Sequence, residues 1–564
     1  MMGFLMISVV VPLISAGVLL LAALGFSTIG LGRRSIRPIA ATLAIVIIVI
    51  VGIVGLSRAD GVRLALPGRY PSLLADLEVQ LRWDARLWPL GMGLSVAIGA
   101  LLFAAVGRDE VVLRLGVVVF ALWSGGLAAV WSASPFTTIV CWALYDAVSV
   151  AGWIIAGAKA DVTVRGLALG TGSGLLLWAG TLLGGGGIGS VPWALMPPGG
   201  TKMGYWTLAG LMRLGAYPLH LLVPRDVRSD SPLVGSLFLS PVLGWALWMR
   251  VASGGQTALP VGGWTVTLAA LTLVAGGVLA WTASLARDSR AWIGMGVNGT
   301  ALLAAVLMML GSGGESLGGE ALRARMAVVS VGWMLATALL FAGGGVALGK
   351  VLRPGALPRS IPSVIGALSV MGVPITVGFV GASYVVNGLM AGGGWACACC
   401  FFVGHVLLVA AVLRWLFEDD GVRAKDEGWL GQMASGIGLG GLAAGLVALG
   451  VLPRIVGGSF GAASRVTFGA LVSTRGPAGW LLWGGAILLG VCLAWFDPVI
   501  RPRIALWLDL VHDAAVLDWV YRLVEGAFER GFGVLRVVDD VLGGRGALLW
   551  ASVLLLVLIL LIGG

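Results

Sequence analysis

Two ionisable residues stand inside long apolar stretches of the chain: Asp146, in C-W-A-L-Y-D-A-V-S-V-A at 141–151, and Arg213, at the head of R-L-G-A-Y-P-L-H-L-L-V-P-R-D-V-R-S-D-S-P at 213–232. A charge in hydrocarbon costs about 3 kcal/mol on insertion scales, so such residues are normally paired and face the inside of a helix bundle. An unpaired carboxylate there would stand protonated, so Asp146 calls for a nearby cation, and Arg213 is the obvious candidate. Two chemistries fit the pair: a buried ion pair that fixes helix register, or one station on an ion path. His220, seven residues past Arg213, and His405, in an apolar run of its own, extend the candidates for that path. An intramembrane histidine can relay protons near neutral pH, and it serves equally as a hydrogen-bonded core residue.

Prolines mark the segments that must position these groups. Pro218 removes a backbone donor and opens the helical ladder just past Arg213, leaving carbonyls that a polar interior or a neighbour must satisfy, so 213–232 reads as a broken helix lining a path. A second such helix is expected at M-G-V-P-I-T-V-G-F-V-G-A, 371–382, interrupted by Pro374. Two interrupted spans five spans apart are the pattern of an internal repeat in inverted topology. After Pro232 the next span, 233–248, carries no ionisable residue, so a proton crossing there would need water alone.

Other groups carry blander readings. G-G-G-G-I-G at 184–189 matches a dinucleotide fingerprint in spelling only, without strand, turn and helix around it. Cys397, Cys399 and Cys400 lack a fourth ligand and a closed geometry, so no metal is expected. Asp84 and Arg86 read as an interfacial pair at a helix start, and Asp288 and Arg290 as part of a solvated turn. With no nucleophile–base pair, metal-ligand set or cofactor fingerprint, no catalytic site and no cofactor are expected.

The elements follow from composition. The chain has 564 residues, 59% hydrophobic and only 11% charged, with a mean hydropathy of +1.01. That is a polytopic membrane protein. Apolar runs of bilayer-crossing length give about sixteen spans, near 4–26, 39–57, 86–106, 112–132, 136–157, 164–185, 204–222, 232–251, 263–286, 291–311, 325–347, 362–389, 395–417, 431–452, 479–496 and 547–562. The first reads as a span rather than a signal peptide, and 58–86 as a structured outer loop. Most Lys and Arg fall in alternate loops, led by Arg33, Arg34 and Arg37, which places the N-terminus outside. The net charge of +10 fits this bias and anionic lipid, and asks for no nucleic acid. From Leu506 to Leu542, charges such as Asp509, Asp513, Arg522 and Glu529 interleave with Leu510, Val511, Leu517 and Val524. That is an amphipathic helix about 55 Å long, lying along a surface, with 547–562 as its far anchor.

The fold expected is therefore all-α: transmembrane helices and an outer loop at 1–110, a first five-helix repeat at 111–251, and a second, inverted one at 263–417. Additional helices at 418–500, a lateral helix at 501–545 and an anchor at 546–564 complete it.

This constellation resembles the antiporter-like membrane subunits of respiratory complex I, of related membrane hydrogenases and of multisubunit cation/proton antiporters. Arg213, Pro218, His220, Pro224 and Pro232 keep the spacing of that family's central lysine–proline–histidine segment, Tyr145–Asp146 matches its tryptophan–glutamate helix, Asp288 and Arg290 its D-x-K motif, and Gly372, Pro374, Gly378 and Phe379 its G-L-P-P-x-x-G-F. The lateral helix and anchor are similar to its distal, largest member. The resemblance implies a subunit of a redox-driven, proton-translocating complex such as an NADH–quinone oxidoreductase. It also implies a bacterial-type inner membrane, other membrane subunits as partners, and lateral-helix contacts to neighbours over 506–542. Departures bear on activity. The glutamate and lysine become Asp146 and Arg213, and arginine keeps its proton where lysine can release it. The family's further titratable positions fall at Phe238, Gly244, Trp333, Thr337 and Ala382. The expectation is a structural or weakly conducting subunit with a degraded proton path. The alternatives are an active translocator using Asp146 and His405, and an ion-coupling subunit of a transport system with a soluble partner, such as inorganic-carbon uptake.

Overall fold

In the computed structural model the apolar runs among the described residues are α-helices. The structure describes residues 36–56, 63–66, 79–106, 111–183, 192–193, 201–219, 231–251, 263–310, 319–343, 357–392, 394–417, 429–453 and 476–523, with a few isolated positions outside them. The elements are α1 (Ile36–Leu56), β1 (Arg63–Leu66), β2 (Val79–Arg82), α2 (Trp88–Ala105), α3 (Val111–Val130), α4 (Pro135–Ile155), α5 (Ala160–Leu183) and α6 (Thr201–Arg213). They continue as α7 (Val234–Leu237), α8 (Val242–Val251), α9 (Gly263–Thr282), α10 (Ala286–Met309), α11 (Gly319–Ala342), α12 (Leu357–Val370), α13 (Val377–Gly392), α14 (Trp395–Phe417), α15 (Trp429–Val451) and α16 (Gly476–Val516).

The protein is an all-α, multi-pass membrane protein. Among the described residues ten helical stretches are long and apolar enough to cross a bilayer, and four shorter apolar helices accompany them. The expected spans 4–26, almost wholly, and 547–562 lie outside the described residues. Helices α2, α10 and α11 form the core. Leu90, Leu94, Leu101, Leu302, Leu303, Met334 and Leu339 are all buried there. Helix α9 packs on α10 and α14 at glycines: a side chain at Gly276 would collide with the backbone of Gly296, and one at Gly277 with the carbonyl of Gly404. Such approaches replace the missing hydrophobic drive between helices in lipid by close backbone packing.

The segment 58–86 contains a hairpin: β1 pairs antiparallel with β2, Arg63 opposite Arg82 and Leu66 opposite Val79. Strand β2 ties to the α3–α4 turn through Arg82 N–H to Trp131 O, 2.7 Å, and Ala133 N–H to Gln80 O, 2.8 Å. That turn launches α4, whose N-cap Ser134 is extended (φ −135°, ψ 159°) and accepts from Thr137 N–H, with Pro135 opening the helix.

The chain divides into two compact units, Met1–Arg503 and Ile504–Gly564. Pro498 and Pro502 remove two ladder donors from α16, and Ile504 is non-helical (φ −117°, ψ 17°). The single helix expected over 506–542 is not continuous. It ends at Val516, because Leu517 takes a left-handed conformation (φ 63°) and its carbonyl accepts from Val520 and Tyr521 to start a new turn. Residues 531–542 lie outside the described set.

Candidate functional site

Helix α6 ends at Arg213 in a Schellman motif: Gly215 N–H reaches Met212 O (3.1 Å) and Ala216 N–H reaches Leu211 O (3.0 Å). Gly215 supplies the left-handed residue that the motif needs, φ 65°. The peptide Tyr217–Pro218 beyond it is cis. The second break repeats this chemistry. Past Val370, the end of α12, Gly372 (φ 69°) donates to Ser369 O (3.0 Å), and Val373 to Leu368 O (2.9 Å). Pro374 follows, as Pro218 does, two or three residues after the glycine.

Arg213 is fully buried and reaches across to Asp146 on α4. Its Nη1 donates to Asp146 Oδ1 at 2.5 Å and its Nη2 to Oδ2 at 2.7 Å, a bidentate pair. The same Nη2 donates to Gly170 O on α5, 2.9 Å away. The guanidinium also lies over the ring of Trp142, 4.5 Å from its centroid. Gly170 is needed twice, since a Cβ there would stand 2.6 Å from Asp146 Oδ2. Three helices and one aromatic face thus hold the Arg213 guanidinium in one geometry, with its planar fork matched to the carboxylate and the carbonyl.

Polar side chains in the bundle serve the backbone groups that the breaks set free. Asn298 of α10 donates to Leu214 O (2.6 Å) and accepts from Trp245 Nε1 (3.2 Å). Thr272 of α9 accepts from Tyr217 N–H (2.9 Å). His405 of α14 is buried, its Nε2 lies 3.1 Å from Met371 O at the second break, and its ring stacks on Phe401 at 5.3 Å. The structure therefore joins Asp146 to Arg213 and places His405 at the other break; His220 lies outside the described residues.

Between the breaks the centre is packed. Phe238 stacks on Phe341 at 4.4 Å and meets Trp153 edge-on at 5.0 Å. Gly244 has no room for any side chain: a Cβ would come within 2.7 Å of Leu214 Cγ and 2.8 Å of Gly210 O. Trp333 Nε1 donates to Gly294 O (3.2 Å), and Ala382 is buried. Asp288 opens the first turn of α10, and Arg290 lies 5.7 Å from the Phe341 centroid.

Sequence reading assigned no role to several further members. Arg250, buried at the end of α8, donates to Ala129 O and Val130 O. Asp497, Arg501 and Arg414 converge on the end of α9: Trp281 Nε1 donates to Asp497 Oδ1 (3.0 Å), Arg501 Nη2 to Trp281 O (2.5 Å) and Arg414 Nη1 to Ala283 O (2.6 Å). Guanidiniums there satisfy carbonyls that the helix end leaves open. An arginine at the end of an apolar run was the available signal for all three.

No protein-family model and no curated protein matches the chain. Solved structures do. A chain in the structure of the Mrp complex from Dietzia sp. DQ12-45-1b superposes with a TM-score of 0.75 at 17% identity, over 99% of this chain and 62% of that one. A chain of the membrane-bound sulfane sulfur reductase, an archaeal respiratory membrane complex, gives 0.70 at 15% identity over 99% of both. One of respiratory complex I from Thermus thermophilus with bound NADH gives 0.61 at 15%, over 84% of this chain and all of that one. The chain thus spans under two thirds of the Mrp chain, and at these identities the likeness is one of fold.

Proposed function

We propose that the chain is the antiporter-like membrane subunit of a complex I-like or Mrp-like assembly, in which it is a structural, non-conducting member. The fold it shares with chains of such complexes supports the first part. The second rests on one observation: the centre between the two breaks carries Phe238, Gly244, Trp333 and Thr337, and at Gly244 the backbone of α6 leaves no space for a titratable side chain. The matching glycine-capped breaks support an inverted-repeat organisation over 111–251 and 263–417. The arginines of the first loop support an N-terminus outside in a bacterial-type inner membrane. Partners are further membrane subunits, with the segment from Leu506 onward lying against a neighbour.

Proton uptake by vesicles holding the intact native complex, driven by its own reaction, tests this. Asp146→Asn, and the double variant Asp146→Asn/Arg213→Gln as a second probe, are expected to leave the proton yield per turnover at the wild-type value in complexes of full subunit content. A drop in yield with assembly preserved would instead make Asp146 part of a conducting path with Arg213 as its fixed gate. Co-purification with a soluble metalloprotein in place of redox subunits would point to a transport system.

A further inference from the structure

A cavity of about 30 Å³ lies beside the first break, one residue beyond Arg213, among Leu214, Gly215, Phe238, Ser240, Asn298 and Thr337. None of its lining residues carries an acid or a base, and Phe238, Trp333, Phe341 and Met295 give it apolar walls. Thr337 is 1% exposed, and its hydroxyl has no hydrogen-bond partner among the described residues. Ser149 and Ser435 are among the few hydroxyls that share that state. Thr207, Thr272, Thr282 and Ser383 each return their hydroxyl to the carbonyl one turn back, at 2.6–2.8 Å, the ordinary refuge of a hydroxyl in an apolar helix. Thr337 instead stands opposite Gly294, whose missing side chain leaves the room: a Cβ there would lie 3.5 Å from Thr337 Cγ2 and 3.7 Å from Oγ1.

We propose that this cavity, whose rim is formed by half-buried Ser240, Pro241 and Ala291, is a bound-water site, in which one or two waters take the hydroxyl of Thr337 and bridge it toward Asn298 and Ser240. A water needs roughly 10–15 Å³ of such space and two to four polar partners, so the volume admits about two. Two hydroxyls and an amide already engaged on both sides are too few oxygens to replace the hydration shell of a cation, so the ligand is neutral. The site lies beyond the proposed function and stands whether or not the subunit conducts. It gives the helix break local hydration, with no acid or base among its lining residues.

X-ray hydroxyl-radical footprinting of the purified full-length protein, read at Met295, tests the site, because radicals form on bound water and mark the side chains that touch it. Met295 is 5% exposed and lines the cavity. The expected result is oxidation of Met295 in the wild type and loss of most of it in Thr337→Val, which removes the hydroxyl, and in Gly294→Ala, which puts a methyl into the space at ordinary contact distance. The melting temperature of Thr337→Val is expected to fall. Met295 that stays unoxidised in the wild type, or is oxidised equally in both variants, overturns the proposal. So does a rise in the melting temperature of Thr337→Val, the mark of relieving a dry, unsatisfied hydroxyl. If Thr337→Val fails to fold, Gly294→Ala carries the test alone.

Discussion

At the scale of single residues, the Asp146–Arg213 pair is held by more than charge. Arg213 makes two short bonds to Asp146, one to Gly170 O and a face contact with Trp142, and both charged residues are buried. Removing one partner leaves the other charge buried, which costs about 3–5 kcal/mol, whereas removing both costs much less. Asp146→Leu and Arg213→Met are each expected to lower stability by that order, and the double variant by less than either single variant. A double-mutant cycle on thermal unfolding in detergent reads the coupling. Additive losses would mean that the two groups do not depend on each other. Lysine at 213 keeps the charge and loses the fork that spans Asp146 and Gly170. The sequence named Arg213 as the candidate partner of Asp146, since a carboxylate and a guanidinium in apolar surroundings need each other, and the contact itself came from the structure. Gly170 and Trp142 were not legible in the sequence, because their roles depend on how closely α5 and the preceding turns of α4 approach the guanidinium, which no local pattern records.

At the scale of elements, both broken helices stop for the same reason. The prolines at 218 and 374 pointed to them, and the stops themselves are glycine-capped ends lying two or three residues earlier. Alanine at either glycine forces a left-handed conformation worth about 1–2 kcal/mol. The two sites differ in their surroundings. Gly215 has open space where a Cβ would be, while at Gly372 a Cβ would meet Ala382 Cβ and Trp483 Nε1, both at 3.3 Å. Gly215→Ala is therefore expected to lower the melting temperature modestly and Gly372→Ala by more; equal or reversed losses would mean that the contacts around Gly372 add nothing to the shared backbone strain. The polar residues nearby take their meaning from the breaks: Asn298, Thr272 and His405 satisfy backbone groups that a continuous helix would have satisfied itself. Sequence could flag them as polar in an apolar run, and could not assign them to a backbone atom on another helix. For the same reason the amphipathic pattern past Leu506 was readable as helix, while its interruption at Leu517 was not, since a leucine seldom adopts a positive φ.

At the scale of the whole molecule, the bundle is graded from core to rim. Of the apolar window in α11, 94% of residues are buried, against 33% in α5. Local opening follows packing, so amide exchange in detergent is expected to be slowest in α11 and α10 and faster along α5. The opposite order would contradict the packing described here. This grading was only partly written in the sequence. Apolar runs named the membrane helices well, because hydrocarbon demands twenty apolar residues wherever a helix crosses. They did not separate inner helices from outer ones, because lipid and protein interior reward the same side chains. The ends of the helices carried more information than their middles. Arg414 and Arg250, in the last turns of their helices, and Arg501, just before the kink of α16, each close off carbonyls belonging to another segment.

Gly244 also limits which changes are open to this chain. A titratable residue there, as at the corresponding position of the family the sequence resembles, cannot arrive by one substitution, because even a methyl group would meet Leu214 and the carbonyl of Gly210. The end of α6 would have to withdraw first, and that end carries Arg213. Placing a charge at this point therefore passes through disturbance of the ion pair, two changes that are each harmful alone. The close approach acts as a latch: room for a charged centre would have to open elsewhere in the bundle.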